Sequence, residues 1–197
     1  MSFLAVVDTE IDPRSGRILD IGSVKSDGST FHKASIVEFK QFLYGVQWVC
    51  GHNLFNHDLK YIGAALNSCG LDSSKCIDTL YLSPLLFPTR PYHALLKDDK
   101  LQTEETNNPL NDAIKARELF IDEVAAFQQI PGVFKQILFG LLKGKKEFHA
   151  FFDYLSYQSG EQDTAQLIRQ KFHTEMCERF ELTKTITEHP IELAKLN

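Results

Sequence analysis

"FLAVVDTEIDPRSGRILDIGSV", residues Phe3 to Val24, is the stretch on which the fold turns. It opens with an apolar run, Phe3 to Val7, that shows no alternation. Leu4 and Val6 would line one side of an extended chain, and Phe3, Ala5 and Val7 the other. Both faces are apolar, which predicts a strand covered on both sides. "DPRSGR" (Asp12 to Arg17) supplies a turn, "ILDIGSV" (Ile18 to Val24) a second strand, and "DGS" (Asp27 to Ser29) another turn. The opening therefore reads as a meander. Asp8 and Glu10 stand two apart at the end of the first strand, so they share the face of Leu4 and Val6. Two adjacent carboxylates at the end of a buried strand repel each other and lose hydration, which is costly unless something compensates. A divalent cation would do so. A strand that simply emerges into a solvated loop would leave the same pair of acids.

Moving outward, Ser35 to Leu43 reads as a helix, with Ile36, Phe39 and Leu43 on one side. "VQWVCGHN" (Val46 to Asn53) is another buried strand that runs into a polar loop. Asp58 to Cys69 reads as a helix closed by Gly70. Asp58 falls in its first turn, at the edge of the face made by Ile62 and Cys69, and can point back toward the end of the sheet. A carboxylate that merely complements the helix dipole would occupy the same place. "CIDTLYLSPLLFP" is a short strand entering a helix capped by Thr79 or Asp78 and interrupted by Pro84 and Pro88. A long helix runs from Pro109 to about Gln128, with Asn108 as N-cap and Pro109 at N1. Its apolar stripe reads as Leu110, Ala113, Ile114, Ile121 and Val124, with Asp112 facing away. Ala116 and Leu119 nonetheless lie on the side of Asp112.

After "QQIPG" the strand signals stop. Helices are predicted over Val133 to Leu142, Glu147 to Leu155, Asp163 to Phe180 and from Pro190 onward. The fold class is thus a mixed α/β domain over residues 1–128 and a helical extension over 129–197. The last helix has barely begun at "HPIELAKLN" where the sequence ends, which points to a longer parent protein. The net charge of -5 gives no general electrostatic pull toward nucleic acid, although acids gathered for a metal would lower the total themselves. Cys50, Cys69, Cys76 and Cys177 form no C-x-x-C pair and no zinc spacing, as expected of reduced thiols in a cytoplasmic setting. The N-terminus has no basic segment ahead of its apolar run, and no apolar run reaches membrane-spanning length.

Asp8 and Glu10 in "VVDTE", Asp58 in "GHNLFNHD" and Asp112 in "NPLNDA" together resemble the DEDD 3′–5′ exonuclease superfamily. The resemblance covers about residues 3–125 and implies a ribonuclease H-like fold. It implies hydrolysis of phosphodiester bonds from a 3′ end to nucleoside monophosphates. Two Mg²⁺ or Mn²⁺ ions would be held by Asp8, Glu10, Asp58 and Asp112, with Asp8 bridging. Glu10 would also meet the terminal nucleotide, Thr9 and Ile11 would flank its base and sugar, and His52 and Asn53 would shape the site. DNA is the expected substrate, single-stranded or at a 3′ end, with RNA as the other option.

One position departs from the pattern. One branch of the superfamily carries a general-base His five residues before the last Asp, and the other a Tyr four residues before it. Asn107 and Asn108 stand there instead. Asn cannot take up a proton, so a factor of about 10²–10⁴ in rate would be forfeited while the action of the metals remained. His57, beside Asp58, and His93 are the imidazoles that could stand in as the catalytic base, although a packing role is the favoured reading of each. A second function follows from the same gap: a nucleic-acid-binding or docking module that keeps the exonuclease fold with weakened catalysis. The stretches "CGHNLFNHDLKYI" and "YHALLKDDKLQTEE", with "LIRQKF" and "EHPIELA", are similar to the exonuclease-type N-terminal region of some bacterial RecQ-type helicases. That likeness implies a helicase region in the same parent chain and a role such as DNA repair. In the extension, Phe148, Phe151, Phe152, Tyr154 and Tyr157 have helical spacing and read as core, although aromatics also stack on single strands. Lys143, Lys145, Lys146, Arg169 and Lys171 read as solvated charge that would also suit phosphates.

Overall fold

The computed structural model describes residues 3–95, 108–160, 163–177 and 180–196. The first strand, β1 (Leu4–Ile11), sits at the centre of a mixed sheet. β2 (Ile18–Lys25) runs antiparallel to it and β3 (Thr30–His32) continues that edge. On the other side β4 (Trp48–Gly51) and β5 (Cys76–Asp78) are added in parallel, giving the order β3-β2-β1-β4-β5. Hairpin turns join the antiparallel strands, while the parallel ones need helical crossovers. These include α2 (Leu59–Ser68) between β4 and β5.

Each face of the sheet has its own apolar layer. Ala5, Val7, Ile21, Phe31 and Val49 pack with Phe39 of α1 (Ile36–Phe42) and with Ile62 and Leu66 of α2. Leu4, Val6, Val24, Cys50 and Ile77 pack with α3 (Thr79–Leu86) and α4 (Pro109–Gln129). The second layer continues into α5 (Gly132–Leu142), α6 (His149–Tyr154), α7 (Thr164–Lys171), α8 (Leu182–Glu188) and α9 (Pro190–Ala194). This is an α/β architecture with a five-stranded mixed sheet, flanking helices and a helical C-terminal region, in keeping with a ribonuclease H-like fold. Among the described residues, no helix is long and apolar enough to cross a membrane. The four cysteines are free thiols, Cys50 and Cys76 buried and Cys177 exposed.

Several local expectations change. Asp8 and Glu10 lie inside β1, which runs on to Ile11, rather than at its end. Pro84 sits within α3 without stopping it, because Leu82, Ser83 and Leu85 around it are buried and hold the turn in place. The buried stripe of α4 is Pro109, Ala113, Ala116, Phe120, Glu123 and Phe127, while Ile121 is 54% exposed. The core below α4 spans both the sheet and the later helices, so the helix is covered over a different arc from the one its apolar residues suggest. Asp112 consequently borders the buried arc through Ala116. The helix expected over Asp163 to Phe180 ends at Lys171, where Phe172 leaves helical geometry, and α8 begins only at Leu182. Phe148, Phe151 and Phe152 are buried and meet Phe120, Phe127, Phe139 and Tyr81 edge to face, so this part of the aromatic group is core. Lys143 and Lys171 lie over the rings of Phe139 and Phe134.

Candidate active site

The site begins with the register of β1 against β2. Asp8 pairs with Gly22 and Glu10 with Asp20. Residues opposite one another across an antiparallel pair share a face. That face is fixed by Leu4, Val6 and Val24, which belong to the layer beneath α4. Asp8, Glu10 and Asp20 therefore project on the α4 side, and all three are half-buried. α4 reaches them through Gly22. A methyl group on Gly22 would stand 2.1 Å from the Leu110 nitrogen and 2.1 Å from the Pro109 carbonyl carbon. The absent side chain lets the first turn of α4 rest on the sheet beside Asp8, and that turn carries Asp112. Asn108 starts the helix there by accepting from the backbone N–H groups of Leu110 (3.0 Å) and Asn111 (3.3 Å).

Asp58 arrives from the opposite layer. It is the residue immediately before α2, and it is fully buried. The Thr9 hydroxyl donates to its Oδ1 at 2.6 Å, while its Oδ2 has no hydrogen-bond partner. Thr9 lies between Asp8 and Glu10 in sequence and turns its side chain to the other face. Burial pushes the Asp58 carboxyl up to about 6; the Thr9 hydrogen bond and the nearby His57 pull the other way.

The loop that carries Asp58 is pinned by Asp78. Its carboxylate accepts from the backbone N–H groups of Asn53 (2.8 Å) and Phe55 (3.0 Å), and from Leu80 (3.0 Å) as the α3 N-cap. Asn53 has φ 65°, a left-handed conformation that Asn tolerates better than most residues. His52 Nδ1 lies 2.8 Å from the Thr79 hydroxyl, and burial lowers its pKa to about 4, so it is neutral. His57 stacks edge-on against Tyr61, on the α2 side. His93 Nδ1 is 2.9 Å from the Ser83 hydroxyl at α3. Ile11 and Thr9 are buried. Asn107 lies outside the described residues.

Among the described residues, no three His, Cys, Asp or Glu side chains lie close enough together to hold a metal ion. The donor chemistry suits one nonetheless. Asp8, Glu10, Asp58 and Asp112 offer only carboxylate oxygens, the ligands that Mg²⁺ and Mn²⁺ take. The orphaned Oδ2 of Asp58 is a buried acceptor in need of a positive partner. Sequence reasoning placed Asp78 among the candidate caps of α3, which it is, but missed its loop-pinning role, which depends on tertiary contacts, and also missed the contact of Asp20 Oδ2 with His32 Nε2 (2.7 Å) on β3. No family model matches the chain, and no curated protein and no solved structure proved similar to it.

The Thr9 contact can be tested without any assay of function. Thr9→Val keeps the shape and removes the donor, leaving both Asp58 oxygens unpaired. It should cost about 1–2 kcal/mol in urea unfolding at pH 7.5. The penalty should shrink at pH 5, where Asp58 is protonated in both proteins. An unchanged midpoint at both pH values would show that the hydroxyl does not support Asp58.

Proposed function

We propose that the chain is a metal-dependent 3′–5′ exonuclease that hydrolyses the terminal phosphodiester bond of DNA and releases nucleoside monophosphates. The observation that carries this reading is Asp58, fully buried, with one oxygen orphaned and the other tied to β1 between Asp8 and Glu10. Burying a carboxylate this way is costly, and a buried acceptor left without a partner in a folded protein calls for an explanation. The resemblance of the three acid-bearing motifs to the DEDD superfamily points to the same chemistry.

Asp8, Glu10, Asp58 and Asp112 would hold two Mg²⁺ or Mn²⁺ ions, which when bound would supply a hydroxide at neutral pH and neutralise charge on the leaving oxygen. The protein's part is to hold these acids on rigid elements. Asp8 and Glu10 are fixed by the sheet register, Asp58 by Thr9 and the Asp78-pinned loop, and Asp112 by the seat of α4 on Gly22. A helicase region elsewhere in the parent chain would deliver single-stranded 3′ ends to such a site.

The test is digestion of a 5′-labelled oligonucleotide bearing a 3′-hydroxyl, with Mg²⁺ or Mn²⁺. A ladder that shortens one nucleotide at a time is expected, with none from Asp8→Ala prepared in parallel. Binding of the oligonucleotide without cleavage under either metal would replace the exonuclease with a docking module.

A further inference from the structure

Beyond its first turn, α4 borders a cavity that the four acids do not use. Arg117, Phe120, Ile121 and Val124 stand at positions i, i+3, i+4 and i+7, so they share one side of the helix. With Leu4 and Val6 of β1, Ser26 just past β2 and Tyr154 at the end of α6, they line an open space of about 190 Å³. Its floor is apolar, because Leu4, Val6 and Phe120 are buried there. The rings of Phe120 and Tyr154 meet at 5.2 Å. Ile121, more exposed than buried, stands among the lining residues as apolar surface open to water. The polar side chains of the lining are all able to donate, and no carboxylate is among them. Arg117 is half-buried, yet among the described residues it has no hydrogen bond, ion pair or ring partner. Its guanidinium has therefore given up hydration without gaining an acceptor. The hydroxyls of Ser26 and Tyr154 are likewise unengaged among the described residues. Burial, with the Cys50 charge adding to it, raises the Tyr154 pKa above its ordinary 10, so that hydroxyl keeps its proton.

Apolar walls beside an unpaired cation call for an occupant that is both apolar and anionic. The space is below the roughly 300–1,000 Å³ of a small-molecule pocket and suits a single large side chain. Arg117 is itself part of the lining, so the anion and the apolar group must lie within that one small volume. In a polypeptide only the last residue carries a carboxylate and an apolar side chain on the same carbon. A nucleobase would bring donors and acceptors that Leu4, Val6, Phe120 and Val124 would leave unpaired. We propose that this cavity docks the C-terminus of a partner polypeptide that ends in a large apolar residue. The side chain fills the space over Leu4, Val6 and Phe120. The terminal carboxylate accepts from the Arg117 guanidinium, whose fork matches it, and the Ser26 and Tyr154 hydroxyls are the other donors at hand. The residues before it cover Ile121. None of the four acids lines the cavity, so this assignment goes beyond the proposed hydrolysis and does not depend on it.

The experiment titrates fluorescein-labelled peptides of Gly and Ser, ending in Leu or Phe, into the 197-residue protein and follows anisotropy. Saturable binding of the free acids is expected. Amidating the C-terminus should weaken binding about tenfold or more, because a charge-assisted hydrogen bond is lost. A terminal Ala should weaken it by a similar factor, since little apolar surface is then buried. Arg117→Gln should lose the same factor for the free acid and become indifferent to amidation, a coupling that general damage to the cavity would not produce. Arg117→Lys should restore part of the loss, and melting temperatures confirm that each variant is folded. The proposal is overturned if the amide binds as tightly as the acid, if Arg117→Gln stays within twofold of wild type, or if no peptide saturates at millimolar concentration. N-acetyl-leucine binding as tightly as the peptide would overturn it in favour of small free acids. An oligonucleotide that displaces the peptide, and whose own binding is lost in Arg117→Gln, would overturn it in favour of nucleic acid.

Discussion

Replacing Gly22 by alanine should destabilise the protein by about 3 kcal/mol or more, a shift of a hundredfold or more in its unfolding equilibrium. The reason is space, because Gly22 lies in a regular strand and its φ is not positive. The added methyl would meet Leu110 N and Pro109 C at 2.1 Å and Pro109 O at 2.3 Å. All three are backbone atoms at the start of α4, so no side-chain rotation can relieve the overlap. The helix would have to lift off the sheet along its first turn, which also opens the layer around Ala113 and Ala116. Gly140 makes the comparison. Its nearest neighbour would be the Thr164 hydroxyl at 2.0 Å, a side-chain atom on another helix that can turn away, so Gly140→Ala should cost less. Gly63 has open space around it and should accept alanine with no loss. Urea unfolding of the three variants gives the ranking. A Gly22→Ala protein within 1 kcal/mol of wild type would mean that α4 does not rest there. The same substitution would then say nothing about how Asp112 approaches Asp8.

The parts of this arrangement that could be read from the sequence are those with a period. Leu4, Val6, Asp8 and Glu10 share a face because a strand repeats every two residues, and the structure keeps them on one face. The α4 N-terminus was legible because Asn108 and Pro109 are local signals. What could not be read depends on neighbours far away in the chain. β3 is three residues long, with only Phe31 buried, too short for alternation to register, and so the contact of His32 with Asp20 had no signal. Asp58 could be pointed toward the sheet, but the Thr9 hydroxyl that donates to it lies 49 residues away. Asp78 looked like a helix cap and is also the anchor of the Asn53 to Phe55 loop. Glu123 had no signal at all. A carboxylate on a long helix reads as solvated surface, and only the folded chain buries it near Asp78 and Cys50 of the sheet.

Glu123 supplies the other large expected effect, a fall in stability with rising pH. The residue is fully buried on the core side of α4, between Phe120 and Phe127 in the buried stripe. Neither of its carboxyl oxygens has a hydrogen-bond partner. Burial, reinforced by the charge of Asp78, raises its pKa from the ordinary 4.5 to about 9, with Arg90 opposing the shift. At neutral pH the folded protein therefore holds a proton there that the unfolded chain has released. A raised pKa of this kind contributes stability that is fully present below about pH 4.5 and is lost as pH climbs toward 9. Each pH unit within that window should remove on the order of 1 kcal/mol. Glu123→Gln keeps the shape and cannot titrate, so the difference between wild type and this variant isolates the effect from every other group. That difference should favour wild type most at pH 5 and move steadily against it through pH 6.5 to pH 8. Glu123→Leu removes a polar group that nothing satisfies and should be more stable than wild type at pH 8, by roughly 1–4 kcal/mol, as when buried charges give way to apolar side chains. The position is held by the same helix whose first turn carries Asp112, so alkaline pH should loosen α4 from within while Gly22 holds its end. A wild-type-minus-Gln difference that stays flat from pH 5 to pH 8 would mean that Glu123 ionises freely, and the core around it would have to admit water.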